Sequence, residues 1–302
     1  MICRAVLLAL LAPGALVAQT VSRTGPLARR TGTFLDRQVR ESSGVVVSRA
    51  HPGLLWTMND SGGDAALFLT DTTGAALGSF AVPRAVNRDW EALGRGPCGT
   101  RQCLYIGDTG DNGRNRRYVT LYRIPEPDPA AVSGTRLRRI TAPAERLQLR
   151  YPDRPHDVEA MYVEPDGNVI LITKGHSGGV LVFRVTASAW RNLMPATAVR
   201  VDSLPIPASL LTGRLVTDAA ISPDGRRVAV RTYRDIWFFT RDNAGRLVRD
   251  PSRRVCDIAG LEPQGEGVDW WDPETLVLTS EHGLFPAGTI TLVRCPVVTR
   301  PR

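Results

Sequence analysis

Acidic residues recur at regular intervals along this chain of 302 residues, each at the start of a short apolar segment. Carboxylates that meet at one point cannot all stay ionised, so either their pKa values rise or a cation binds. Ca²⁺ accepts many oxygen ligands in a flexible geometry, and its use requires a fold that brings the acids together. The recurring acids are Glu41, Glu91, Glu159, Asp218 and Glu266.

A simpler interpretation gives each acid a purely structural task. The carboxylate would then cap its own strand or accept a hydrogen bond from a backbone N–H group of the next repeat. Cations near the acids are few, and this favours the calcium interpretation.

A second set of polar residues ends the strand that follows each acid. Because consecutive strands of a hairpin are antiparallel, these residues lie at the same sheet edge as the acids. Asp60 or Asp108 could serve there as a general base. Lys174 and Arg231 could neutralise the charge of a bound phosphate. These four are the candidate catalytic residues.

The elements around the acids form a repeat of about 50 to 70 residues, the size of one four-stranded propeller blade. Tight turns such as Ser222-Pro223-Asp224-Gly225 separate runs rich in Val, Ile and Leu. We expect an all-β fold, a five-bladed β-propeller of four-stranded antiparallel sheets. The fifth repeat has three strands, and Thr33-Phe34-Leu35 would close the ring as its fourth. A six-bladed ring would need a further repeat that the sequence does not provide.

The first 18 residues predict a secretory signal peptide. Arg4 precedes a short apolar run, and Leu16-Val17-Ala18 offers a cleavage site. Residues 19–302 would form a single propeller domain, secreted or periplasmic. No other stretch is long and apolar enough to cross a membrane as a helix.

Cysteine usage agrees with an oxidising compartment, since four cysteines follow the leader. Cys98 and Cys103 flank a short turn and are expected to pair. Cys256 and Cys295 could then bridge neighbouring strands. A zinc site is less favoured, because no pair has CxxC spacing.

The formal net charge is +8 and comes mainly from arginine. No basic run with interleaved aromatic residues is present, and this argues against a nucleic-acid polymer as partner. The basic surface could still attract an anionic ligand.

Several short motifs resemble a family of exported bacterial propeller proteins of unassigned activity. They are Glu41-Ser42-Ser43-Gly44, Asn59-Asp60-Ser61-Gly62, Asp89-Trp90-Glu91-Ala92, Tyr105 to Asn112, Asp157-Val158-Glu159-Ala160, Ser222 to Arg226, and Gln264-Gly265-Glu266-Gly267.

More distantly, the order and spacing of these pieces are similar to calcium-activated nucleotidases of the apyrase type, which are five-bladed propellers with an axial Ca²⁺. That resemblance implies calcium ligands at Ser43, Glu91, Glu159, Glu266 and a fourth-blade residue. Thr217-Asp218 stands where that family has a serine, and Asp218 completes the expected ligand set. Asp60 would match an acidic residue of the nucleotide site.

Two functions remain open at this point. The first is an exported calcium-binding module for a small anionic ligand, a glycan or a protein partner. The alternative is a calcium-dependent hydrolase of phosphoesters or phosphoanhydrides, apyrase-like or phytase-like. A glycosidase using two axial carboxylates is less favoured, since it would need them roughly 5 to 10 Å apart.

Overall fold

Short strands make up nearly all regular structure in the computed structural model, which describes residues 25–130, 134–135, 138–176, 178–192, 194–242 and 245–298. The predicted signal peptide, residues 1–18, lies outside these ranges. Within them the chain forms 24 strands and one short 3-10 helix, Ala187–Arg191. No helix of this part of the chain is long and apolar enough to cross a membrane.

The strands form five sheets, each described from its innermost strand outward. Blade one contains β2 (Ser42–Val47), β3 (Leu54–Asn59), β4 (Ala66–Asp71), β5 (Gly78–Ala81), β10 (Arg138–Ile140) and β9 (Gly134–Thr135). Blade two contains β6 (Trp90–Cys98), β7 (Arg101–Asp108), β8 (Val119–Pro125), β11 (Glu145–Arg150) and β15 (Ala196–Thr197). Blade three contains β12 (Val158–Val163), β13 (Val169–Thr173), β14 (Val180–Val185) and β16 (Val199–Leu204).

Blade four contains β17 (Val216–Ile221), β18 (Arg227–Thr232), β19 (Asp235–Arg241) and β20 (Leu247–Arg249), with β21 (Cys256–Asp257) also paired to β19. Blade five contains β22 (Gln264–Trp270), β23 (Thr275–Glu281), β24 (Thr289–Arg294) and β1 (Leu27–Thr33). The innermost strands of neighbouring blades pack side by side around one axis. The prediction of a five-bladed β-propeller is therefore confirmed.

An N-terminal strand closes the ring, as predicted, but its position differs from the expected Thr33–Leu35. β1 pairs antiparallel with β24, from Leu27 opposite Arg294 to Thr33 opposite Thr289. Residues 27–30, which precede the expected strand, belong to β1. Most of β1 is exposed, so its sequence lacks the alternation of apolar and polar residues that marks half-buried strands.

Three short strands at the outer edges were not predicted. The hairpin β9–β10 comes from the connection within blade two, yet β10 pairs in parallel with β5 of blade one. Likewise β15, from blade three, pairs in parallel with β11 of blade two. These additions cover strand edges that would otherwise present unpaired N–H and C=O groups.

The hydrophobic core lies between blades rather than at one centre. One cluster joins Trp56 and Met58 of blade one to Trp90 and Leu104 of blade two. Because each sheet is buried on both faces, its strands need apolar side chains on both faces. This explains the continuous runs of Val, Ile and Leu in the sequence.

Both predicted cysteine pairs are at bonding distance. Cys98 and Cys103 connect the two strands of a hairpin, with their Cα atoms 5.8 Å apart. Cys256 and Cys295 are 5.5 Å apart at Cα and connect blade four to the end of blade five.

Candidate functional site

The innermost strand of every blade contains a β-bulge at the same position near its start. In each of these strands the register with the next strand shifts; one residue is left without a partner in blades one to four, and two, Glu266 and Gly267, in blade five. A bulge re-aims the side chain of its extra residue and is common beside functional sites. We call these residues the bulge ring: Ser43, Glu91, Glu159, Thr217 and Glu266.

Three carboxylates meet between blades one and two at this end of the channel. Asp60 follows β3, Asp89 precedes β6, and Glu91 belongs to the bulge ring. One oxygen from each lies within 4.8 Å of the others, a spacing that could hold a metal ion. We call these three residues the acidic cluster. Ser43 adjoins it, because its hydroxyl donates to Glu91 Oε2 at 3.1 Å.

The electrostatics of the acidic cluster favour a bound cation. Burial, followed by the charges of Asp89 and Glu41, raises the pKa of Asp60 to about 7. Burial and the charge of Glu159 raise the pKa of Glu91 well above its ordinary value. Asp60 Oδ1 is also buried and has no hydrogen-bond partner among the described residues. The hard oxygen donors and this unpartnered atom fit a divalent cation.

Glu159 forms a buried ion pair with a lysine. Lys174 Nζ donates to Glu159 Oε1 at 2.7 Å. Burial alone would lower the pKa of Lys174, but the Glu159 carboxylate, together with Glu91 and Asp157, outweighs this effect and raises it. Lys174 therefore stays charged and is paired with Glu159, and its charge also lowers the pKa values of Asp60, Asp89 and Glu91.

Asp218 has backbone partners for both of its carboxylate oxygens. Ala219 N donates to Oδ1 and Val268 N donates to Oδ2, each at 2.8 Å. The bulge in blade four instead leaves Thr217 unpaired, and the Thr217 hydroxyl donates to the backbone oxygen of Glu266 at 3.0 Å. Asp218 thus makes the contact to the next blade that the structural interpretation of the acids predicts.

Glu266 is held by polar neighbours on the axis. Gln264 Nε2 donates to Glu266 Oε1 at 3.2 Å. Burial raises the pKa of Glu266 to about 7, although Gln264 and Lys174 act in the opposite direction. Burial and the charges of Glu266, Glu159 and Glu91 raise the pKa of Tyr233.

Two of the candidate catalytic residues are occupied elsewhere. Asp108 Oδ1 accepts hydrogen bonds from Arg116 Nη2 and from the Asp89 backbone N–H, each at 3.0 Å. Arg231 is buried, donates from Nη1 to the backbone oxygens of Gly267 and Thr279, and pairs with the Glu262 carboxylate. The catalytic roles of Asp108 and Arg231 remain predictions, as does the calcium ligand set.

Sequence reasoning missed several features of the site. Alternation predicts Asp89 beside Glu91, and the structure places them together, but the expected calcium ligand set does not include Asp89. Tyr233 lies beyond the end of β18, where no repeat of residue type distinguishes it. Arg116, which holds Asp108, comes from a long loop whose course the strand pattern does not determine.

No family model and no curated protein match the chain. Solved structures do match. The PQQ-bound aldose sugar dehydrogenase of Streptomyces coelicolor has a TM-score of 0.51 at 11% identity, over 90% of this chain and 99% of that one. A calcium-binding regucalcin of Agrobacterium tumefaciens has a TM-score of 0.44 at 12% identity, covering 90% and 96%. A putative 6-phosphogluconolactonase of Bacteroides uniformis has 0.42 at 13%, covering 90% and 81%.

At such low sequence identity, a structural similarity is evidence for the fold alone. The similarity to the aldose sugar dehydrogenase supports the assignment of a propeller. The propeller part of the family resemblance is thereby confirmed. Kinship with calcium-activated nucleotidases stays a prediction.

Proposed function

We propose that this chain is an exported calcium-binding β-propeller that binds a ligand or partner at the end of its channel. The observation that carries the proposal is the acidic cluster, in which oxygens of Asp60, Asp89 and Glu91 lie within 4.8 Å of one another. If no cation is bound, burial and the neighbouring carboxylates raise the pKa values of all three residues.

The donor chemistry favours calcium over the softer transition metals. The acidic cluster offers carboxylate oxygens, and the Ser43 hydroxyl beside Glu91 can add a neutral oxygen. Oxygen-only sites suit hard cations, whereas nitrogen and sulfur ligands select zinc or copper. Three carboxylates leave coordination positions for an oxygen of a small anion, a glycan or a protein side chain.

Metal analysis and calcium titration of the purified full chain test this proposal. Asp60→Asn and Glu91→Gln should each weaken calcium binding by at least about tenfold, since each removes a charged ligand. Glu145→Gln is the matched control, because Glu145 is an exposed carboxylate paired with Arg123 on the outer part of blade two. Equal calcium affinity in all four proteins, or no calcium binding in any, would refute the proposal.

One observation favours the alternative of a calcium-dependent phosphohydrolase. The buried Asp60 Oδ1 has no hydrogen-bond partner among the described residues, so it could accept a proton from an attacking water as a general base. Phosphate release from nucleotides and inositol phosphates, measured with calcium and with EDTA, distinguishes an enzyme from a binding module. Calcium-dependent release that Asp60→Asn abolishes would establish the enzyme.

Export is supported by the two cysteine pairs, because disulfides persist mainly in oxidising compartments. Mass spectrometry of the protein secreted by a bacterial host should give Gln19 as its first residue, following cleavage after Ala18. An intact first residue Met1 in the mature protein would contradict the proposed export.

A further inference from the structure

A cavity of about 340 Å³ lies beside β1, the outermost strand of blade five. Its walls come from β1, from the connection that leads into β22, and from the loop between β23 and β24. They include Arg30, Thr33, Glu262, Pro263 and residues 285–287. We call it the blade-five cavity. None of the described residues in its wall belongs to the acidic cluster or the bulge ring, so it is a separate site.

The wall of the blade-five cavity is mainly apolar. Phe285 is 60% exposed, so a bound molecule could cover the face of its ring. Pro263 and Pro286 add ring carbons and have no backbone N–H to offer as a donor. Apolar walls with a few convergent polar groups are typical of small-molecule sites. The volume suits a molecule of roughly ten non-hydrogen atoms, if each takes about the volume of a water molecule.

Glu262 provides this wall with a buried hydrogen-bond acceptor. Its side chain is 3% exposed, and Oε2 pairs with the buried Arg231 guanidinium. Oε1 is buried and has no hydrogen-bond partner in the part of the chain that the structure describes. The neighbouring Thr289 hydroxyl bonds with Ser280 Oγ at 3.1 Å, and Ser280 Oγ donates to the Glu281 backbone oxygen. The Thr289 proton is therefore directed to Ser280, and Glu262 Oε1 can still accept a hydrogen bond from a ligand.

The charges around the cavity favour a neutral ligand. Although burial raises the pKa of Glu262, the Arg231 guanidinium opposes this effect and favours the ionised carboxylate. Arg30 adds a positive charge at the rim, where its Nη2 donates to the Leu261 backbone oxygen at 3.3 Å. An anion would meet the Glu262 carboxylate, and a cation would meet the two guanidinium groups. A neutral molecule loses less hydration free energy than either when it enters an apolar space.

We propose that the blade-five cavity binds a small neutral aromatic molecule with one N–H or O–H donor, such as an indole or a phenol. The donor would bond to Glu262 Oε1, and the ring would pack against Phe285 and the two prolines. A wholly apolar molecule fits less well, because it would leave the buried Oε1 unpaired.

The test uses the full chain with three probes: indole, 1-methylindole and the indole-3-carboxylate anion. Calorimetric titration should show indole binding at least about tenfold more tightly than 1-methylindole, because methylation removes the donor for Oε1. The anion keeps the donor but should also bind at least about tenfold more weakly than indole, since its charge would lie near the Glu262 carboxylate. Equal binding of indole and 1-methylindole, tighter binding of the anion, or no binding of any probe would overturn the proposal.

Variants separate the two contacts. Phe285→Ala should weaken indole and 1-methylindole by a similar factor, at least about threefold, because it removes the packing surface that both use. Leu284→Ala is the matched control, since this neighbouring residue is fully exposed and lies outside the wall. Unchanged affinity in Phe285→Ala, or an equal loss in Leu284→Ala, would refute the assignment.

Glu262→Gln should weaken indole alone and bring its affinity to that of 1-methylindole. The amide oxygen would stay with Arg231, and an NH₂ group, which donates, would replace the acceptor Oε1. A folded Glu262→Gln protein that still prefers indole about tenfold would contradict the proposed hydrogen bond.

A measurement on the unmodified protein removes dependence on how the variants fold. Indole should shift the backbone amide resonances of Thr33, Gly260 and Ala287, wall residues from three separate segments of the chain. Shifts confined to other parts of the chain would contradict the proposal. The binding should also persist in EDTA and in Asp60→Asn, so its outcome is independent of the calcium proposal.

Discussion

Two neighbouring residues of blade four, Thr217 and Asp218, differ in their roles. Thr217 lies at the bulge position, whereas Asp218 makes a contact to the next blade. Asp218 accepts the Val268 N–H of the next blade and the Ala219 N–H of its own strand. Asp218→Asn should therefore destabilise the fold by about 1 to 3 kcal/mol, because the amide NH₂ cannot accept one of these bonds. Calcium affinity should stay within about twofold of wild type. Urea denaturation and calcium titration of the same variant measure both effects; a folded variant with a tenfold loss of calcium affinity would restore Asp218 as a ligand.

The pH dependence of the metal-free protein follows from the buried carboxyl groups. Burial and nearby carboxylates raise the pKa of Glu281 to about 8, and those of Asp60 and Glu266 lie at about 7. The native state thus keeps protons that the unfolded chain loses near pH 4, and the free energy of unfolding should fall as pH rises from about 4 to about 8. Melting temperatures in EDTA should show this decline.

Calcium should flatten that pH profile, because the cation replaces protons at the acidic cluster and binds more tightly as they leave. Asp60→Asn should flatten the profile in EDTA in part, since one of the titrating groups is gone. A metal-free melting temperature that rises steadily between pH 5 and pH 8 would contradict the stated pKa directions.

Residue identity and spacing are enough to find three members of the bulge ring: Glu91, Glu159 and Glu266. In blade one the repeat of acids indicates Glu41 instead, and Ser43 is expected only from the resemblance to calcium-activated nucleotidases. In the fourth blade the acid lies one residue beyond the bulge, since a bulge changes the register by one residue and leaves no mark in residue type. The neighbours of the acids are harder to predict. Whether Lys174 pairs with Glu159 or meets a ligand depends on side-chain geometry, which the repeat does not determine.

At the scale of elements, predictability depends on burial. Inner strands such as β12 and β13 are buried along their whole length, and their apolar runs indicate their positions to within about one residue. The edge strands β10 and β15 bury little and pair through backbone atoms, which any sequence provides. Their existence could not be predicted from a hydrophobic pattern.

The two disulfides should contribute unequally to stability. Cys256 and Cys295 are separated by 39 residues, whereas Cys98 and Cys103 are separated by 5. In the loop-entropy model the longer loop stabilises by about 4 kcal/mol and the shorter by about 2 kcal/mol. Double Cys→Ala variants compared by urea denaturation should follow this order. A larger loss from the Cys98 and Cys103 variant would show that strain or local packing outweighs loop entropy.

At the scale of the whole molecule, the ring depends on a pairing between the two ends of the described chain. β1 supplies the outermost strand of blade five, and Phe34 just after it packs in a buried cluster with Val45 of blade one and Ile290 of blade five. The incomplete fifth repeat predicts this closure because a three-stranded blade leaves a free edge on β24. It does not determine which residues fill the gap, since an exposed strand carries little sequence signal.

Removing residues 1–33 should therefore open the ring, whereas removing residues 1–24 should not. Deleting β1 breaks the pairing with β24, a ladder with six register partners. At about 1 kcal/mol of net stability for each hydrogen bond, a loss of about 5 kcal/mol would be comparable to the whole stability of many domains. We expect the longer deletion to lower the melting temperature sharply and to expose β24 to proteolysis. A peptide spanning residues 25–35 should restore part of the lost stability, because it can add to the free edge of β24 as a strand. Equal melting temperatures for the two truncated proteins would show that the blades hold the ring closed without β1.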